Sequence, residues 1–234
     1  MWGRSLYLNI QRFILFQMTI NVAACIIVLI GAFLGVESPL TVTQMLWVNL
    51  IMDTFAALAL ASLPPSNRVM NDKPRARGAN IITKPMTKGI FGVGGFFVVL
   101  LFGFIQYFKN EDITSLTQFS ITDYFSHFFH FGTPKNGLSA YELSLFFSIF
   151  VFLQFWNMFN AKAYRTGKST FYNIGKSQGF ILIATVIVIG QVFITTFGGQ
   201  MFNVTPLKLT DWTIIIGARS EEHTSELQSL VIIS

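Results

Sequence analysis

Met45-Leu46-Trp47-Val48-Asn49-Leu50-Ile51-Met52-Asp53-Thr54 carries a single formal charge, on Asp53. From Ser38 to Asn67 every other position is apolar or uncharged. A run of that length and polarity reads as a membrane-crossing helix. A carboxylate at bilayer depth is costly unless it meets a cation, a proton or a partner. Asn49 stands four residues earlier, and α-helical spacing puts both side chains on one face. An amide oxygen beside a carboxylate suits a hard cation such as calcium.

Composition extends that reading to the whole chain. Of 234 residues, 52% are hydrophobic and only 12% charged, against about 25% charged in a soluble domain. The expected fold is an all-α polytopic membrane helical bundle. Its 26 phenylalanines are expected mainly on a lipid-facing surface. The net charge of +5 comes from basic residues gathered in loops. That pattern orients membrane helices rather than binding nucleic acid. The single Cys25 excludes a disulfide framework and a thiolate metal site, and is expected as a small buried hydrophobe. No signal peptide is visible. Met1-Trp2-Gly3-Arg4 reads as a start internal to a longer chain.

The spans follow from charge-free runs. Residues 1–12 are amphipathic, and Phe13 to Val36 is the first span, with Asn21 near its middle. A turn at Glu37-Ser38-Pro39 leads to a second helix from about Thr43 to Leu63, stopped by Pro64-Pro65. Gly89–Phe108, Leu143–Ala161 and Gly179–Phe197 are the next three. A truncated sixth starts near Thr210 and reaches Ala218. Residues 109–140 read as a long polar and aromatic loop. The loops holding Arg68 to Lys88 and Lys162 to Lys176 are strongly basic, so they and the N-terminus are expected on the cytoplasmic side. Residues 219–234 turn polar where a sixth helix should continue, and read as a non-native, adapter-like tail outside the 1–218 transport domain.

Four polar positions lie inside the spans: Asn21, Asn49, Asp53 and Gln154. Lone amides such as Asn21 or Gln154 serve most often as interhelical hydrogen-bond partners. The Asn49/Asp53 pair points instead to a cation or proton site. Catalysis has no candidate. His127 and His130 have the spacing of a weak zinc pair but no third ligand. Gly92-Val93-Gly94-Gly95 is expected to serve helix packing, and no phosphate-binding loop followed by Lys and Ser or Thr is present.

The stretch from Met45 to Thr54, followed by Leu58-Ala59-Leu60-Ala61 and Pro64-Pro65, closely resembles helix six of P-type calcium-transporting ATPases. Trp2-Gly3-Arg4, the Asn21 helix, the Ser38-Pro39 turn and Lys73-Pro74 fit helices and loops around it. The resemblance covers about residues 1–218 and implies helices five to ten, the C-terminal transport half of such a pump. It implies that Asn49 and Asp53 are calcium ligands and that Asn21 lies in the ligand region. Ala24, Met52 and Gln154 stand where two-site pumps carry glutamate, threonine and glutamate. Those departures resemble the plasma-membrane type, with one calcium per cycle. Calcium takes roughly six to eight oxygens. The resemblance implies that the missing ones come from an absent fourth helix. It implies too that magnesium and ATP bind only in absent domains, and that the chain alone is inactive. The implied setting is a multi-pass protein of a plasma or bacterial inner membrane. Its partners would be the lipid bilayer, the calcium ion and the missing N-terminal half. Two other readings of Asp53 stand beside this one. One is an ion relay in a proton- or sodium-coupled secondary transporter, and the other is a satisfied carboxylate in a structural membrane subunit.

Overall fold

The computed structural model describes residues 2–33, 39–64, 70, 80–129, 138–166, 175 and 177–217. Most of the first basic loop, the Glu37-Ser38 turn, Pro65, His130 and the tail from Ala218 onward lie outside them.

Among the described residues the regular structure is helical. Helix α1 (Trp2–Phe33) has no break between the amphipathic start and the apolar span. Its 32 residues reach about 48 Å, well beyond roughly 30 Å of hydrocarbon. The second span is three pieces: α2 (Val42–Leu46), a π-helical segment (Trp47–Met52) and α3 (Asp53–Ala61). Then come α4 (Lys84–Asn110), α5 (Ile121–His127), α6 (Ala140–Ala163), α7 (Gln178–Phe197), α8 (Gly199–Phe202) and α9 (Leu209–Gly217). Five of these stretches are long and apolar enough to cross a membrane: α1, α2 through α3, α4, α6 and α7.

Local chemistry sets the starts. Thr41 opens α2 with a reciprocal cap. Its hydroxyl accepts from the Gln44 amide N–H at 3.3 Å, and the Gln44 side chain accepts from Thr41 N–H at 3.0 Å. Ser139 and Glu142 make the same cap on α6. Pro85 sits in the first turn of α4, where its missing N–H has no helical partner to lose.

α6 is the most enclosed span, packed by α1, α4, α7 and α9. Phe146, Phe147 and Phe150 from α6 are fully buried with Phe16, Phe108 and Phe180. The phenylalanines therefore fill the interior as well as the lipid face, correcting the sequence expectation. Lipid removes the penalty for outward apolar groups, so hydrophobicity alone does not say which side a ring takes. Cys25 is a correction of the same kind, since it faces outward. α1 is apolar nearly all round its span and offers no stripe from which its inner face could be read.

α4 packs along α1. Of the expected packing glycines, Gly94 meets α1: a Cβ there would lie 3.4 Å from the Thr19 carbonyl oxygen. Gly92 and Gly95 face open space. Gly94→Val should push α1 and α4 apart and cost about 1–3 kcal/mol, read as a lower unfolding temperature in detergent. Gly95→Val should leave that temperature unchanged.

Residues 111–129, the described part of the expected 109–140 loop up to His130, carry more regular structure than the sequence suggested. Leu116–Gln118 forms one 3₁₀ turn, and α5 folds back onto α4. Phe104, Tyr107, Phe119 and Tyr124 make a ring cluster with centroids 5.2 to 6.5 Å apart. Burial pushes the Tyr124 hydroxyl up to about 12, so it stays a neutral donor to the Leu100 carbonyl at 2.9 Å.

Candidate ion site in the second span

The break in the second span lies at the residues that the sequence singled out. The Asp53 amide N–H donates to the Val48 carbonyl, five residues back instead of four. A π turn of this kind is uncommon and concentrates at functional positions. It widens the helix at Asn49 and leaves Asp53 as the first residue of α3.

Asp53 lies near the middle of the span and is 4% exposed. Neither carboxylate oxygen has a hydrogen-bond partner. The polar group facing it is the side chain of Gln17 on α1, which approaches without closing a hydrogen bond. A carboxylate in such a place is unfavourable by itself and suited to a cation or a proton.

The two amides grouped with Asp53 from sequence are placed differently from it. Asn49, in the π turn, is exposed, and Asn21 on α1 is half-buried. Spacing alone gave Asn49 and Asp53 one face. The observed difference in burial reflects packing, because α1 covers Asp53 and leaves the turn before it open. Gln17 was missed, although it precedes Asn21 by four residues and so shares its face. Ala24 and Met52 are fully buried.

α6 adds further unsatisfied groups. Both side-chain atoms of Gln154, the Asn157 Nδ2 and the Ser148 hydroxyl are buried without partners. α6 packs on α1 and touches α3. Buried amides and hydroxyls without partners are rare in finished interiors. Of the His127–His130 pair, His130 lies outside the described residues. His127 meets Glu111 at 3.2 Å, and among the described residues no three His, Cys, Asp or Glu side chains come together.

α7 fixes the π turn. The Trp47 Nε1 donates to Gln191 Oε1 at 3.2 Å, and Gln191 Nε2 donates to the Thr195 hydroxyl at 3.3 Å. Gly190 leaves room for the indole, since a Cβ there would sit 3.1 Å from the ring. The Gln44 amide donates to the Phe202 carbonyl at 2.8 Å, holding the start of the span as well.

The second span thus places a buried acid without hydrogen-bond partners at a wide turn inside a bundle of helices long and apolar enough to cross a membrane. Sequence comparison then supplies the family. The chain belongs to the family described as "Cation transporting ATPase, C-terminus", whose model matches residues 37–220. It is 35% identical over 212 residues to "Plasma membrane calcium-transporting ATPase 2" of Oreochromis mossambicus, covering 91% of this chain and 18% of that protein. It is likewise 35% identical over 215 residues to "Plasma membrane calcium-transporting ATPase 4" of Homo sapiens, covering 91% of this chain and 16% of that one. The chain thus spans less than a fifth of the length of these relatives.

Proposed function

We propose that this chain is the cation-binding membrane part of an ATP-driven calcium efflux pump that moves one calcium per cycle. The observation that carries the reading is Asp53, a mid-span carboxylate with both oxygens buried and unpartnered. In the proposed site Asp53 supplies the charge, Asn49 an amide oxygen at the open π turn, and Asn21 a further amide from α1. Calcium, the transported cargo, wants roughly six to eight oxygens. Exposure of Asn49 supports completion of the shell by a part of the protein outside this chain. Met52 and Ala24 supply no side-chain oxygen, which supports one ion over two.

ATP and magnesium belong to that other part in this reading. With the phosphorylated aspartate and the nucleotide site in that other part, residues 1–218 alone would not hydrolyse ATP, and Asn49, Asp53 and Asn21 alone supply too few oxygens to hold calcium tightly. The basic loops after the second and fourth spans support a cytoplasmic N-terminus. α1, longer than the bilayer is thick, would carry movement from the cytoplasmic domains to the site.

The test is Asp53→Asn in a full-length pump carrying this segment. Phosphoenzyme formed from ATP is expected to lose its calcium dependence, by about a hundredfold or more in apparent affinity. Phosphorylation by inorganic phosphate should persist, which shows that the protein is folded. Calcium-dependent phosphorylation unchanged by the substitution would overturn the assignment. Proton-driven transport without ATP would favour a relay role for Asp53.

A further inference from the structure

We infer that α5 is an interfacial helix whose outward apolar face is buried in the lipid leaflet at the Asn110 end of α4. The first observation is the division of its surface. At 100° per residue, Tyr124 and Phe128 point toward α4, and Ile121, Phe125 and Phe129 continue that apolar arc outward. Thr122, Asp123 and Ser126 occupy the opposite arc. Tyr124 donates to the Leu100 carbonyl, and the Phe128 ring lies 5.1 Å from Phe102. Ile121, Phe125 and Phe129 remain 67%, 67% and 78% exposed. The apolar arc is therefore wider than α4 covers.

The second observation is depth. α4 is charge-free from Gly89 to Phe108, and Leu100 stands eight residues inside that limit, about 12 Å along the axis. A segment bonded to Leu100 and stacked on Phe102 is not lifted clear into water. It lies beside the outer part of the hydrocarbon layer, where Val99, next to Leu100 on α4, is exposed as well. The polar arc with Asp123 then meets headgroups and water. His127, bonded to Glu111, ties the helix to the end of α4. An amphipathic segment with aromatic anchors is the form in which a helix rests within a membrane surface. The occupant is lipid. A protein partner seated on the same rings is the competing outcome.

The inference is independent of the ion carried, and its test needs no transport. The full chain, with Cys25→Ser to remove its one cysteine, would be reconstituted in phosphatidylcholine vesicles with a nitroxide at a single introduced cysteine. Ile121→Cys and Phe125→Cys report the apolar arc, and Ser126→Cys the polar one. All three positions are exposed, so two independent labels report the same face if one variant folds poorly. The ratio of oxygen to nickel-chelate collision rates should be at least about fivefold higher at 121 and 125 than at 126. Equal nickel access at all three sites would place α5 in water and overturn the inference. Low access to both reagents at 121 and 125 would show a protein cover, and would overturn it too.

Discussion

Asp53→Leu is expected to stabilise the chain while abolishing cation binding in the longer pump. Both carboxylate oxygens are buried without hydrogen bonds, in a span with no other charge. An unsatisfied buried polar group costs about 1–3 kcal/mol, and more where it is charged. Leucine has similar bulk and no polar atom to desolvate. Little is lost in exchange, because Gln17 is half-buried and makes no closed bond to the carboxylate. The gain should be about 1–3 kcal/mol, seen as a higher midpoint of thermal unfolding in detergent without divalent ions. In the longer pump the sign with calcium is opposite: the ion should stabilise the parent protein and leave the variant unmoved. A variant that melts lower than the parent would mean that the carboxylate is satisfied by the fold itself. Stability given up at a site that needs charge is the pattern expected of a functional residue.

The second large effect concerns the opposite sort of buried acid. Asp211, in the first turn of α9, is fully buried and fully used. It accepts from the Ser115 hydroxyl at 2.7 Å, from the Leu116 amide at 2.8 Å and from the Tyr141 hydroxyl. It thereby joins α9, the start of α6 and the 3₁₀ turn after α4. Lys208 adds a bond from Nζ to the Thr114 carbonyl at 2.7 Å. Asp211→Ala leaves three donors unpaired and should cost about 3–5 kcal/mol. Tyr141→Phe removes one donor and should cost about 1 kcal/mol. In a double-mutant cycle the two losses should be strongly non-additive. Additive losses would mean that the contact contributes nothing to the folded state.

These two aspartates mark the limits of what the chain discloses. The five spans were legible because their apolar runs are long, four of them charge-free and the second charged only at Asp53. Their ends were less so, since Trp2 to Arg12 is amphipathic yet continues α1 without a break. Asp53 stood out because it is alone in its span. The π turn did not, because nothing in the local sequence separates Trp47–Met52 from an ordinary α-helical run, and the Trp47–Gln191 bond beside it is a contact across to α7. Asn49 was grouped with Asp53 by spacing, and packing then left one open and the other covered. Asp211 fell inside the truncated sixth span without being singled out, and its role exists only through Ser115, Leu116 and Tyr141, distant in the chain. Residues 109–140 read only as a polar and aromatic loop, because the stacking of Phe119 on Phe104 and Tyr107 joins that segment to α4 through packing rather than through a local signal.

The central claim is that Asp53 holds the transported ion. Calcium-45 occluded per phosphorylation site, counted in the full-length pump and its Asp53→Asn variant, tests it most directly. Close to one calcium per site is expected in the parent and none in the variant. An undiminished calcium count in the variant would contradict it.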